Sequence, residues 1–438
     1  MNADLTAADL WARMSPASRG LCLRVAETAE GLGQAAYLVG GSVRDLLLGA
    51  RQIDLDFAVE GDAPELAREI GRRLGGSVEG PSRFMTAAIE LPDGRRVDVA
   101  RARQETYPEP TKLPVVEPAD IQADLRRRDF SINALALRLT ASGVGELVDP
   151  WGGRADLAAG VIRVLHDRSF SDDPTRLIRA ARFCARLGFV LEPATRRLVG
   201  RAAHEALLGR VTGARVREEV VKLLGEPCPA AVVQWLAGIG AHRQAFPGLH
   251  TDRRLFVWLG QARVALAALG IGRAGARPAR RWPYLLGVLG LWGEAQALAA
   301  RLDLDGEAAD IVTEMTDAAS AGVPPEIVCH RGAPTVALDE ALEGCTLARL
   351  LAYWLRSGPE GKRRIERYVH DLRLQTADVN GHDLRRRGVP SGPAVGVGLR
   401  AARRAKLSGR GNTQEQIRAA LAAVDEWRRP MRGAGRRG

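Results

Sequence analysis

The spacing of apolar and polar residues changes period several times along the chain. Residues 1–30 carry helical spacing, and the apolar run Ala35–Val39, closed by Gly40 and Gly41, predicts a short buried strand. VRDLLLGA, residues 43–50, predicts a short helix. Ile53–Val59 alternates acidic with apolar residues, the period of a half-buried strand. Residues 63–76 form an amphipathic helical pattern closed by Gly75 and Gly76. Residues 83–91 and 95–102 read as two strands joined by the turn Pro92-Asp93-Gly94. This order predicts a small mixed sheet with helices on one side.

Beyond it, Pro108, Pro110, Pro114 and Pro118 predict a loop over residues 104–120. From about residue 120 onward the pattern is mainly helical, so the remainder is expected to be all-α. Candidate boundaries fall near Gly143, near residues 226–230 and near residues 271–283. The run from Tyr284 is interrupted by Glu294 and Gln296, too polar for a membrane span, and reads as a helix pair or a helix with a turn. The basic tail WRRPMRGAGRRG has no apolar face and is expected to be mobile.

With 438 residues, 46% of them hydrophobic, the chain is long enough for two or more packed domains. Its formal net charge of +11 favours polyanionic partners, nucleic acid first. The five cysteines, Cys22, Cys184, Cys228, Cys329 and Cys345, show no metal-ligand spacing, which points to a reduced, cytoplasmic protein. The first twenty residues lack the apolar core of a signal peptide, and no membrane partner is expected.

Candidate chemistry begins at Asp54 and Asp56. Two apart on a strand, both carboxylates project to one face while Ile53, Leu55, Phe57 and Val59 project to the other. Adjacent carboxylates repel unless a cation lies between them, and hard oxygen donors suit Mg²⁺. Asp98, flanked by Val97 and Val99, repeats the logic on the second hairpin strand. Three such carboxylates could hold two metal ions, one activating a hydroxyl and the other stabilising a leaving pyrophosphate. An isolated Asp-x-Asp is more often a solvated strand face. The neighbouring residues reverse that balance. Gly40 and Gly41 end one strand and open a helix, so their amides can approach a phosphate, and Arg44 lies in the first turn. Asp45 is placed to orient it.

The joint string GGSVRDLLLGARQIDLDFAV resembles the class II tRNA nucleotidyltransferase and poly(A) polymerase family of the polymerase-β superfamily. LRRRDFSINALAL, residues 125–137, is similar to that family's ribose-recognition motif, with Ser131 in place of the usual Thr. The resemblance implies that Arg128 and Asp129 contact the ribose and phosphates, that Asp129 accepts from a 2′-OH, and that Asn133 supports them. The family's base-reading Glu-Asp-x-x-Arg stands here as Asp172-Asp173-Pro174-Thr175-Arg176, departing at Asp172. Asp173 and Arg176 are expected as i,i+3 neighbours on one helix face, reading the amine and ring nitrogen of A or C. Arg176, Arg179, Arg182 and Arg186 would form a basic ridge towards the nucleotide. Residues 207–224 resemble the neck helix, and VNGHDLRRRGVPSGPAVGVGL resembles a tail element whose glycines and Arg385–Arg387 would contact tRNA phosphates.

The implied fold is α+β, a small mixed β-sheet nucleotidyltransferase head followed by an elongated all-α neck, body and tail. The implied domains are residues 1–140, 141–226, 227–370 and 371–438. The implied activity is untemplated addition of CCA, or part of it, to the tRNA acceptor end from ATP and/or CTP with Mg²⁺. TYPEPTKLPVVEPADIQADL lacks the Tyr-x-Asp-x-Arg-Arg-Pro loop of many full CCA-adding members. That absence favours terminal A addition or a split system in which a second nucleotidyltransferase acts on the same end. The alternatives are full CCA addition, a poly(A) polymerase on other RNAs, and a catalytically silent RNA-binding module. The seven scattered histidines predict no His-Asp phosphohydrolase domain.

Overall fold

A computed structural model describes residues 5–50, 55–82, 85–271, 281–328, 334–409 and 411–433. Asp54, Cys329, His330 and the last five residues lie outside them. Contacts divide the chain into two compact units, Met1–Ala245 and Phe246–Gly438. No described helix is long and apolar enough to cross a membrane.

In the first unit, helices α1 (Ala7–Arg13) and α2 (Pro16–Gly31) precede strand β1 (Ala35–Val39). Helix α3 (Gly41–Leu48), strand β2 (Leu55–Glu60), helix α4 (Ala63–Leu74) and strands β3 (Ser77–Glu79), β4 (Thr86–Glu90) and β5 (Arg96–Arg101) follow. Asp62 caps α4 by accepting from the Glu65 amide, and Gly75 ends it in a left-handed conformation at φ 69°. Its apolar side buries Leu66, Ala67 and Ile70, packing with α2 against the sheet. Truncating a buried leucine or isoleucine of this kind costs about 2–5 kcal/mol.

The sequence pattern after residue 102 needs correction. Strands β6 (Arg103–Thr106) and β7 (Val115–Pro118) form a two-stranded ribbon where the prolines predicted a loop. Pro108 and Pro110 occupy its turn, and Pro118 sits at a strand end, where a missing N–H does not break a ladder. After α5 (Ile121–Arg126), strands β8 (Ala136–Thr140) and β9 (Gly143–Val148) extend the sheet. The near-continuous apolar run from Ala134 does not distinguish a buried strand from a helix. Gly143 therefore lies inside a hairpin, not at a boundary.

The resulting seven-stranded sheet has the order β3-β4-β5-β2-β1-β8-β9. It is mixed, because β2 and β5 pair in parallel while their other neighbours are antiparallel. Helices are not confined to one side. Ala58, on the same face as Asp56, clusters with Ile121 and Leu125 of α5. The unit continues as α6 (Gly153–Ala159), β10 (Val161–Ile162), α7 (Ser169–Asp172), α8 (Arg176–Leu187), β11 (Val190–Leu191), α9 (Pro193–His204) and α10 (Gly213–Gly225). The short parallel pair β10–β11 is another departure from the all-helical expectation.

The described part of the second unit is helical. The run from Tyr284 is a helix pair, Trp282–Gly290 and Ala295–Arg301. The helix Thr413–Gly433 extends into the tail expected to be mobile, and Trp427 packs against the cluster of Val379, Leu384 and Val424. Gly398 is buried in the tail element, where a Cβ would come 2.8 Å from Leu384, so this glycine serves helix packing and not phosphate contact. Arg386 pairs with Asp383 at 2.7 Å, and Arg385 and Arg387 donate to backbone carbonyls of the same turn.

Candidate active site

The parallel register sets Asp56 directly beside Asp98. Both side chains are exposed, whereas Leu55, Phe57, Val97 and Val99 are buried on the opposite face. The Asp56 amide is held by the Ser42 hydroxyl at 3.1 Å, which ties the acidic strand to the first turn of α3. Arg96 lies 3.1 Å from Asp98 across the exposed face. Two hard carboxylates on adjacent strands fit a divalent cation with phosphate co-ligands. Asp54 falls outside the described residues, so the expected triad is represented by two of its members.

The glycine turn follows from backbone geometry. Gly40 has φ 65° and ψ −124°, a region that glycine alone adopts without strain. A Cβ there would come 2.6 Å from Nη1 of Arg128. Arg44, in the first turn of α3, is 5% exposed and anchored. It pairs with Asp45 at 2.7 Å and donates to Asn133 Oδ1 at 2.6 Å. Arg128 is gripped by Asp124 at 2.8 Å. Burial opposes ionisation of Asp124, but the Arg128 and Arg127 guanidiniums outweigh it and lower its pKa.

Asp129 departs from its expected role. Its Oδ1 accepts from the Phe130 amide and from Asn133, and its Oδ2 accepts from Nε and Nη2 of Arg179. Those four donors fill the lone pairs of a carboxylate, leaving no acceptor for a 2′-OH in this arrangement. Asp129 instead anchors Arg179 and Asn133. Burial pushes its carboxyl up, but Arg179 and Asn133 prevail and bring it down to about 2.

The predicted basic ridge on α8 is a partly buried network of hydrogen bonds and ion pairs. Arg176 donates to Ser169 and to the Arg127 carbonyl. Arg179 and Arg182 share Glu219 of α10, and Arg182 and Arg186 share Glu226. Phe183 lies beneath the guanidiniums of Arg44, Arg179 and Arg186 at 5.1–5.9 Å. The expected Asp173–Arg176 helical pair is not formed. Asp173 precedes α8, in an extended conformation that Pro174 imposes on the residue before it. Its Oδ1 accepts from Thr175 and from Arg215 of α10. Asp172 turns elsewhere, towards Arg168 at 3.1 Å.

These elements enclose a cleft of about 620 Å³. Gly40, Gly41, Arg44, Asp56, Arg128, Asp129, Asn133, Asp173, Arg176, Arg179 and Arg182 all line it. Asp98 is absent from its lining, though it stands beside Asp56. Seven cations (Arg44, Arg127, Arg128, Arg176, Arg179, Arg182 and Lys222) outnumber four carboxylates there, which suits a polyphosphate. Glu105, Tyr107, Arg127, Phe183 and Lys222 also line the cleft and were not singled out in the sequence. Tyr107 donates to Glu105, and burial followed by that carboxylate raises its pKa. Glu105 also binds Arg103 and Arg127. The alternation of Arg103, Glu105 and Tyr107 is the strand signal in this segment, masked by its four prolines. Arg215 and Glu219 gave no local signal.

Comparison with known proteins agrees with this architecture. The Poly A polymerase head domain model matches residues 36–163, and the model described as "Probable RNA and SrmB- binding site of polymerase A" matches residues 188–252. An A-adding tRNA nucleotidyltransferase of Geobacter sulfurreducens is 32% identical over 89% of this chain, which spans 45% of that relative, less than half its length. A CC-adding tRNA nucleotidyltransferase of Deinococcus radiodurans is 36% identical over 73% of this chain and 80% of its own. A solved CCA-adding enzyme, apo form II, superposes with a TM-score of 0.77 and 31% identity, covering 95% of this chain and 99% of its own. By these matches over most of its length, the chain belongs to the tRNA nucleotidyltransferase and poly(A) polymerase family.

Proposed function

We propose that the protein extends the 3′ end of tRNA without a nucleic-acid template, using ATP, CTP or both, with terminal A addition the favoured reaction. The observation that carries this reading is the juxtaposition of Asp56 and Asp98 beside a cation-rich cleft of nucleotide size. The reaction forms a bond from the primer hydroxyl oxygen to the α-phosphorus and breaks the bond to pyrophosphate. Asp54, Asp56 and Asp98 would hold Mg²⁺, which supplies charge neutralisation and a lower pKa for the attacking hydroxyl. The Gly41 amide and Arg128 face the triphosphate, the Gly40 amide being taken by the Leu135 carbonyl. Asn133 and Asp129 fix Arg44 and Arg179 against it. Asp173 and Arg176 read the base from the cleft wall, as separate groups and not as one helical pair.

The tail 371–438 would carry tRNA contacts, and the reaction is assigned to the cytoplasm. The head proposed as residues 1–140 takes in β9 as well. The Deinococcus relative supports CC addition as the second reading. If only part of CCA is added, a second nucleotidyltransferase completes the same end. The test is incorporation of labelled ATP or CTP, with Mg²⁺, into tRNAs ending in the discriminator base, in C or in CC. A-addition predicts extension of the CC-ended substrate with ATP alone. Incorporation of CTP into the shorter substrates would move the assignment to CC or CCA addition, and no incorporation on any substrate would refute the enzyme.

A further inference from the structure

Arg215 on α10 is the group that ties two distant segments of the cleft wall together. Its Nη2 lies 2.9 Å from Oδ1 of Asp173, and its Nη1 lies 2.8 Å from the carbonyl oxygen of Thr111, in the turn between β6 and β7. A guanidinium can serve two acceptors in fixed directions, which an ammonium on a flexible stem cannot reproduce. All donors to Asp173 converge on one oxygen: the Thr175 amide at 3.1 Å, the Thr175 hydroxyl at 2.6 Å and Arg215. No donor among the described residues engages the other oxygen, Oδ2. Three donors on Oδ1 fix the plane of the carboxylate and leave Oδ2 as the acceptor available to a ligand in the cleft.

The Thr111 end of the bridge is held just as firmly. Thr111 adopts φ 67°, a conformation that a β-branched residue rarely takes. Its amide donates to the Ser171 carbonyl at 3.1 Å, while its own carbonyl accepts from Arg215. Contacts on both sides of the residue hold it there. Ser171 is two residues before Asp173, so the turn and Arg215 grip the Asp173 segment from both ends.

We propose that Arg215 is a specificity-determining positioning residue, which aims Asp173 Oδ2 at the exocyclic amine of the incoming base and docks the β6–β7 turn against it. The inference rests on the reading of Asp173 as a base-contacting residue. A and C each present an exocyclic amine donor where G and U present a carbonyl. A carboxylate oxygen held in place therefore favours the first pair and repels the second. Loosening that carboxylate weakens the favoured pair and relieves the repulsion of the disfavoured pair.

The experiment compares Arg215→Lys and Arg215→Ala with the full-length wild type. It measures kcat/KM for ATP, CTP, GTP and UTP on tRNAs ending in the discriminator base, in C and in CC, and tryptic cleavage after Lys112 in the β6–β7 turn. Arg215→Lys keeps the charge and guards against loss of folding. The expected result is a fall of roughly tenfold in kcat/KM for the amine-bearing substrate, with no fall for GTP and UTP, because one charge-assisted hydrogen bond is lost. Cleavage after Lys112 should quicken in both variants. An equal fall with all four nucleotides, or an unchanged profile in Arg215→Lys, would overturn the inference and leave the enzymatic reading intact. A wild type inactive with every nucleotide would overturn both.

Discussion

Asp56 and Asp98 stand exposed at one register position of β2 and β5, while the half-buried Arg179 and the buried Arg182 of α8 sit among the carboxylates of Asp129, Glu219 and Glu226. The two regions serve one cleft but are held differently. The acidic pair is placed by the sheet: backbone pairing sets the spacing, and Leu55, Phe57, Val97 and Val99 supply the burial. Its side chains are exposed, so a cation can reach them from solvent. The arginine wall is placed by its own charges. Arg179, Arg182 and Arg186 have carboxylate partners and Arg176 is held by a hydroxyl and a carbonyl, because an uncompensated buried ion costs several kcal/mol. Chemistry should therefore separate from stability at the acidic strands and be inseparable from it on α8.

The comparison would break first at the carboxylates. Asp56→Ala should lower the transfer rate by roughly a thousandfold or more, as expected for loss of a metal ligand, with thermal unfolding unchanged. Asp98→Ala should behave alike. A large drop in melting temperature in either variant would show that these side chains support the fold.

Arg179→Ala should destabilise the first unit by about 3 kcal/mol, because Asp129 loses its guanidinium and Glu219 loses one of its partners. Chemical denaturation would measure it, and a variant as stable as wild type would refute the account of the wall. Gly40→Ala should cost about 1–3 kcal/mol through its positive φ and the approach to Arg128, and should weaken ATP binding. The mildest test is pH. Asp129 is held down to about 2 when folded against about 3.9 when unfolded. A depressed carboxyl stabilises the fold fully above the unfolded pKa and loses that contribution as pH falls from about 4 towards 2. Denaturation midpoints in that window should fall less steeply in Asp129→Asn, and an identical slope would exclude this residue as a source of acid sensitivity.

The two regions also differ in how much of them the sequence displays. Asp56, Asp98, Gly40 and Gly41 are recognisable because strand alternation and a glycine turn act within a few residues. Asp173 and Arg176 were recognisable as residues, but their geometry was not, since Pro174 interrupts the helix the spacing implied. Glu219, Glu226 and Arg215 lie 37 to 44 positions from their partners on or before α8 and show no local pattern. Strands β6 to β9 are not legible in the sequence for two reasons. Prolines at strand ends resemble loop prolines, and a continuously apolar buried strand has no visible period.

The most direct measurement pairs nucleotide binding with single-turnover transfer in Asp56→Ala, using ATP and a tRNA ending in CC. The account predicts ATP affinity within about threefold of wild type, because the cationic wall supplies most contacts, and no detectable AMP transfer. Transfer at the wild-type rate in that variant would contradict the assignment of chemistry to the acidic strand.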